Sequence, residues 1–167
     1  MGLAGNQHPE KGALVNLKNY TSNIDADTTI ARIERMLVCA GASGVQKLYE
    51  DGNVSSLVFR IALAANQPES AIRLPANVAA CVESMWSEYV KSSPKGRKTK
   101  EDFHDQATRT AWKLTQDWVE VQMSLIHLGQ VEPGQVFLAY VLIGRGNATV
   151  YDKVKEAGYK ALLPEKT

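Results

Sequence analysis

A long seam of apolar residues in the second half of the chain predicts its main helix. The members of this seam follow one another at steps of three and four residues, as one face of an α-helix requires. They are Phe103, Ala107, Ala111, Leu114, Trp118, Val121 and Leu125. A second line at seven-residue steps, formed by Trp112, Val119 and Ile126, makes the stripe wider than a two-stranded coiled coil needs. We expect a long helix that lies across the rest of its domain, or whose stripe meets another subunit.

Shorter elements precede this helix. Asp27 is expected to cap a first helix, whose apolar face includes Ile30 and Ile33. The turn signal at residues 51–53 then joins a strand at 45–50 to a second, alternating strand, and the two form an antiparallel hairpin. The alternating strand exposes its polar face and buries Leu57, Phe59, Ile61 and Leu63. A third strand is expected at 71–74, and a second helix begins at Asn77.

The last apolar run, Val136 to Ile143, is ambiguous. Its residues are apolar on every side, so periodicity leaves both a buried strand and a short core helix open. Its length and β-branched ends favour the strand. Thr149 then caps a short final helix that ends before Gly158. The predicted fold is therefore α+β: a small antiparallel β-meander packed against two main helices, plus a short C-terminal helix.

The length of 167 residues suits one domain, which we place at residues 21–160 between a flexible N-terminal tail (1–20) and a C-terminal tail (161–167). The longest apolar run is far shorter than the ~20 residues that cross a bilayer, so no membrane partner is expected. Cys39 and Cys81 lie in predicted amphipathic helices, which favours buried, reduced thiols in a cytoplasmic protein.

No residue constellation identifies a reaction. His104 and His127 lie about six helical turns apart on one predicted helix, so no metal site is expected. The loop 144–147 lacks the third glycine and the distant acid of a dinucleotide fingerprint, so no cofactor is expected. The serines lack a nucleophile elbow. A small enzyme with a Cys or carboxylate centre remains the weakest of the alternatives.

A basic segment between the second and third predicted helices is the strongest functional lead. The segment contains no acidic residue. Its cations are Lys91, Lys95, Arg97, Lys98 and Lys100. Such a segment can contact phosphates, and the flanking aromatic residues Trp86, Tyr89 and Phe103 favour single-stranded nucleic acid. We predict a nucleic-acid-binding site formed by Lys95, Arg97, Lys98 and Lys100, to which Arg60 or Arg73 on the sheet adds.

Two other surfaces leave a protein partner open. Side chains of mixed character are expected together on the uncovered face of the sheet, namely Lys47, Tyr49, Ser56, Val58 and Arg60. Either this face or the wide helical stripe would serve a protein-interaction module, an inhibitor of a host protein or a homo-oligomer.

Three parts of the sequence resemble a family of small, uncharacterised bacterial proteins that are often encoded on prophages and mobile elements. They are FR at 59–60 with IRLPAN at 72–77, ATRTAW at 107–112 with DWVEVQ at 117–122, and VFLAY at 136–140. The resemblance extends from about Thr21 to Tyr159. It implies a cytoplasmic accessory protein of a mobile element, a setting in which nucleic-acid handling and inhibition of host defences are both common tasks. The family has no activity that can be carried over residue by residue. The residues that it singles out for testing are Arg73, Arg109, Trp112, Trp118 and Gln122.

Overall fold

The computed structural model describes residues 17–162, and they form an α+β fold. The elements in chain order are helix α1 (Ala26–Cys39), strands β1 (Gly44–Glu50), β2 (Asn53–Ala62) and β3 (Glu69–Pro75), and helices α2 (Val78–Ser92), α3 (His104–His127), α4 (Pro133–Phe137) and α5 (Val150–Glu156). Short 3₁₀ turns occupy Glu101–Phe103, Leu138–Tyr140 and Lys160–Leu162. The predicted fold class is confirmed.

The three strands form an antiparallel sheet in the order β1-β2-β3. Asp51 and Gly52 both have positive φ, at 49° and 78°, and they connect β1 to β2 as the two central residues of a tight hairpin. A bulge interrupts the pairing between Leu48 and Tyr49. Phe59 and Ile72 pair across β2 and β3 on the buried face, as the alternation predicts.

Helix α3 crosses the domain and packs against both α1 and α2. The residues that it buries most deeply include Thr110, Trp112 and Val119. Trp112 and Val119 are covered within this chain, so the prediction that their stripe meets another subunit is wrong for these two residues. The predicted seam turns away from the core towards its C-terminal end, where Val121 is 56% exposed.

The run at 136–143 is mainly helical, so the preference for a strand is wrong. Pro133 occupies the first position of α4, and the Glu132 backbone N–H donates a hydrogen bond to the Gln135 side chain, as in a capping box. These local signals outweigh the β-branched ends of the run. Phe137 is fully buried, in edge contact with the rings of Phe59 and Trp118. Extended backbone is confined to residues 141–142, which form isolated bridges to β3 and to Thr149.

Residues 17–20, which the sequence assigns to the tail, lie against α3. Lys18 forms an ion pair with Asp117 at 2.8 Å, and Asn19 donates a hydrogen bond to the same carboxylate at 3.0 Å. The backbone oxygen of Asn19 accepts a hydrogen bond from Thr110. The rest of the predicted N-terminal tail, 1–16, and residues 163–167 lie outside the described part of the chain.

Two local predictions need correction. Asp25, not Asp27, caps α1, and its side chain accepts a hydrogen bond from the Asp27 backbone. Cys39 is exposed, whereas Cys81 is buried as expected. Cys39 follows the buried Leu37 by two residues, which places the two side chains on opposite sides of a helix. None of the helices between residues 17 and 162 is long and apolar enough to cross a membrane.

Candidate nucleic-acid interface

The basic loop, which we define as residues 91–100, overlaps the end of α2 and leads to α3, and all its residues are exposed. Tyr89 on α2 contacts the loop through its hydroxyl. Its hydroxyl accepts a hydrogen bond from the Lys98 backbone N–H at 3.2 Å. A Cβ atom at Gly96 would overlap with the same hydroxyl, so the loop backbone passes Tyr89 at a distance that only glycine allows. The loop is therefore folded over α2.

Three aromatic rings lie beside the basic loop, and two of them contact one of its cations. The ring of Trp86 lies 5.9 Å from that of Tyr89, and the rings of Tyr89 and Phe103 lie 5.4 Å apart, centroid to centroid. The Lys98 ammonium lies 5.9 Å from the Tyr89 centroid and 5.4 Å from the Phe103 centroid. These distances are within the range of cation–π attraction. Lys98 therefore already has a partner in the protein.

Lys100 also has a partner, because its ammonium donates a hydrogen bond to the Glu83 carboxylate on α2. At the same end of the loop, Asp102 accepts hydrogen bonds from the backbone and hydroxyl of Thr99. Lys100 further lines a 730 Å³ groove between the β1–β2 hairpin and α2.

Three cations remain without a carboxylate partner in the described part of the chain. They are Lys91, Lys95 and Arg97, and all are exposed. The cations of the loop cannot be distinguished from the sequence alone. In the structure, Lys98 and Lys100 have partners within residues 17–162, and the other three have no carboxylate partner there.

Arg60 and Arg73 project from the uncovered face of the sheet, opposite the face that carries Phe59. Arg60 is exposed and pairs with Ala71 across β2 and β3. Arg73 is half-buried, 3.9 Å from Asp152 of α5. No ion pair or side-chain hydrogen bond within residues 17–162 joins either arginine to the basic loop. The structure therefore places these two predicted residues together on the sheet, but not with the loop.

The predicted mixed surface on the uncovered sheet face is only partly formed. Lys47 lies opposite Leu57, on the helix-covered side, where its ammonium meets Glu34 of α1 at 3.4 Å. Ser56 is buried, whereas Tyr49 beyond the bulge is exposed. The register and the bulge of β1, which alternation alone does not determine, account for these differences.

The residues singled out by the resemblance are mainly packed into the fold. Arg109 donates a hydrogen bond to Gln106 one helical turn earlier, and Trp112 is fully buried. Trp118 contacts the rings of Phe137 and Tyr140. Gln122 is half-buried. In this structure these side chains contribute to packing around α3.

Sequence reasoning missed two charged groups. Asp117 binds Lys18, Asn19 and Lys113, and Asp152 faces Arg73. Burial alone would raise the pKa of Asp117, but its hydrogen bonds and the Lys113 charge hold this pKa well below the usual range. The signal for Asp152 is its position three residues after Thr149, since the two form a capping box.

In the span from residue 17 to 162, no group of three or more His, Cys, Asp or Glu side chains is placed to hold a metal ion. Compared with family models, curated proteins and solved structures, the chain has no match, and the resemblance to mobile-element proteins stays a prediction.

Proposed function

We propose that the chain is a non-enzymatic nucleic-acid-binding accessory protein that contacts phosphates through the basic loop. The observation that carries the proposal is the exposure of Lys91, Lys95 and Arg97 on one loop without carboxylate partners. Such cations displace the counterions condensed on a phosphate backbone. The phage or mobile-element context and the cytoplasmic setting that the resemblance implies are part of this proposal.

The cations of the basic loop are proposed to have two different roles, support of the loop and contact with phosphates. Lys98 over the aromatic rings and Lys100 on Glu83 hold the C-terminal end of the loop, whereas Lys91, Lys95 and Arg97, which precede them, face solvent. Three phosphate contacts with a single strand give a slope of about −2 in a plot of log affinity against log salt concentration. Binding of this kind is weak and does not depend on base sequence.

The test is fluorescence anisotropy with labelled single-stranded and duplex oligonucleotides at two salt concentrations. The triple variant Lys91→Gln, Lys95→Gln and Arg97→Gln removes the unpaired cations. Its matched control is Arg32→Gln, Arg35→Gln and Lys155→Gln, which removes three exposed cations elsewhere. We expect the loop variant to lose at least tenfold in affinity and most of its salt dependence, and the control to bind like the wild type.

The proposal is wrong if the loop variant and the wild type bind with the same affinity and salt slope. Binding to neither oligonucleotide at low salt would also refute it. A double variant, Lys98→Gln and Lys100→Gln, distinguishes residues that contact phosphate from residues that support the loop. We expect this pair to weaken binding less than the triple variant, because its side chains are held by groups of the protein.

A protein-interaction module, including an inhibitor of a host protein, is a second candidate. It is supported by apolar side chains that α3 leaves open near its C-terminal end, where Val121 is 56% and Leu128 is 67% exposed. These residues are seven positions apart and share one helical face. Association through them would persist at high salt, unlike phosphate binding. Light scattering of the wild type and of Val121→Asp at high salt distinguishes this candidate from nucleic-acid binding. If the candidate is right, only the wild type self-associates or captures a partner under these conditions.

A further inference from the structure

A separate cavity of 430 Å³ lies where β3, the turn 138–140 and the start of α5 meet. Its lining consists of Arg73, Pro75, Ala139, Tyr140, Thr149, Tyr151 and Asp152. The volume is within the range of pockets that hold small organic ligands. None of these residues belongs to the basic loop, so the cavity is a different site from the one proposed above.

Arg73 supplies hydrogen-bond donors that the protein itself leaves unused. The Arg73 side chain is 29% exposed, and its nearest carboxylate oxygen, Oδ2 of Asp152, is 3.9 Å away, too far for a hydrogen bond. That oxygen already accepts hydrogen bonds from the Thr149 backbone at 2.8 Å and hydroxyl at 2.9 Å. Within residues 17–162 the guanidinium donates no hydrogen bond to another protein group. A guanidinium presents paired donors that match the two oxygens of a carboxylate.

Two tyrosines and two small apolar residues form the remaining walls. The ring of Tyr140 is fixed by an edge contact with Trp118 at 5.7 Å between centroids. The Tyr151 hydroxyl lies 3.2 Å from that of Tyr159, which restrains the second ring. Such walls favour a flat, apolar body over a hydrated ion.

We infer that this cavity binds a small organic anion in which a single carboxylate is attached to a planar ring. Arg73 would bind the carboxylate through its guanidinium, while Tyr140 and Tyr151 flank the ring. The nearby charge of Asp152 favours a monoanion, because it repels a doubly charged phosphate more strongly.

The test uses benzoate as the probe, with benzamide and inorganic phosphate as separate arms, and follows backbone amide resonances of the full chain by NMR. We expect saturable shifts in the millimolar range, confined to residues near 73, 140 and 149–152. Benzamide has the same shape without the charge, so we expect it to bind at least tenfold more weakly. Phosphate should give no saturable shift at these residues.

Arg73→Gln should weaken benzoate binding at least tenfold, whereas Arg60→Gln on the same sheet face, outside the cavity, should leave it unchanged. Because Arg73 also faces Asp152, Ala139→Phe serves as a second variant that fills the cavity without altering this pair, and it should abolish binding. The inference is overturned by shifts scattered over the surface, by equal binding of benzamide or phosphate, or by benzoate binding that survives both cavity variants. Absence of any saturable shift with benzoate also overturns it.

Discussion

Asp117 connects the N-terminal segment to α3 through a single carboxylate. Lys18 and Asn19 reach it from the N-terminal segment, and Lys113 reaches it from the preceding turn of α3. Since these partners favour the charged form, the folded-state pKa of Asp117 lies below its unfolded value of about 3.9. The resulting stability is present above the unfolded pKa and is lost as the pH falls towards the folded pKa.

We therefore expect the free energy of unfolding to fall more steeply between about pH 5 and pH 2 in the wild type than in Asp117→Asn. Denaturant unfolding at several pH values measures the difference. Asp51→Asn is the matched control, because it alters an exposed carboxylate in the hairpin turn and preserves a turn that Asn-Gly also favours. Equal pH dependence in wild type and Asp117→Asn would contradict the role assigned to this carboxylate.

Gly96 allows a second prediction about a single residue. A Cβ atom there would collide with the Tyr89 hydroxyl, so Gly96→Ala must displace either the ring or the loop and break the bond to the Lys98 amide. We expect a loss of about 1–2 kcal/mol in the free energy of unfolding and faster hydrogen exchange at the Lys98 amide. Gly146→Ala is the control, since a Cβ atom at Gly146 has no neighbour within 4 Å. Unchanged exchange at Lys98 in Gly96→Ala would show that the loop is not held by Tyr89.

At the scale of elements, α4 and the turn that follows it decide how the last apolar run packs. Phe137 is fully buried between the sheet and α3, whereas its neighbour Leu138 is 54% exposed. We expect Phe137→Ala to cost about 3–5 kcal/mol of unfolding free energy and Leu138→Ala less than about 1 kcal/mol. Urea unfolding of the two variants measures both values, and similar losses would argue against this packing.

The elements that the sequence predicts well are those with long periodic patterns. Helix α3 extends over enough turns for its spacing to exclude a strand, and the Asp51-Gly52 turn fixes the first hairpin. The run 136–143 is too short for periodicity to decide. Its helical signals lie outside it, at Glu132 and Pro133, where a capping box and a proline start α4.

The sites were harder to predict than the elements because they depend on pairing across the fold. The positions of the loop cations are evident from the sequence, but only the packing of α2 against the start of α3 shows that Lys98 and Lys100 have partners. Likewise, Arg73 and Asp152 are distant in sequence and meet because residues 141–142 and Thr149 bring α5 to the edge of β3. Local patterns contain no information about such pairs.

At the scale of the whole molecule, the two thiols lie in different environments, one at the surface and one in the core. Cys39 is exposed, whereas burial lowers the accessibility of Cys81 and raises the pKa of its thiol, which reduces the reactive thiolate. We expect a thiol-specific reagent to modify Cys39 rapidly in the native protein and Cys81 only when the domain unfolds.

The variant Cys39→Ser isolates the buried thiol, so its labelling rate in increasing urea should follow the unfolding transition seen by circular dichroism. Rapid labelling of Cys81 without denaturant would mean that α2 opens locally while the rest of the domain stays folded.

The bulge between Leu48 and Tyr49 limits how much of the open edge of the sheet another chain can pair with. Strand β1 pairs with β2 on one side, and no strand within residues 17–162 pairs with its other side. Its outer backbone groups are a template to which an extended segment of another chain can add. The bulge interrupts the regular ladder, so the uninterrupted part of this edge extends only from Gly44 to Leu48. A regular edge this short is a poor template, which protects the folded chain against edge-to-edge aggregation.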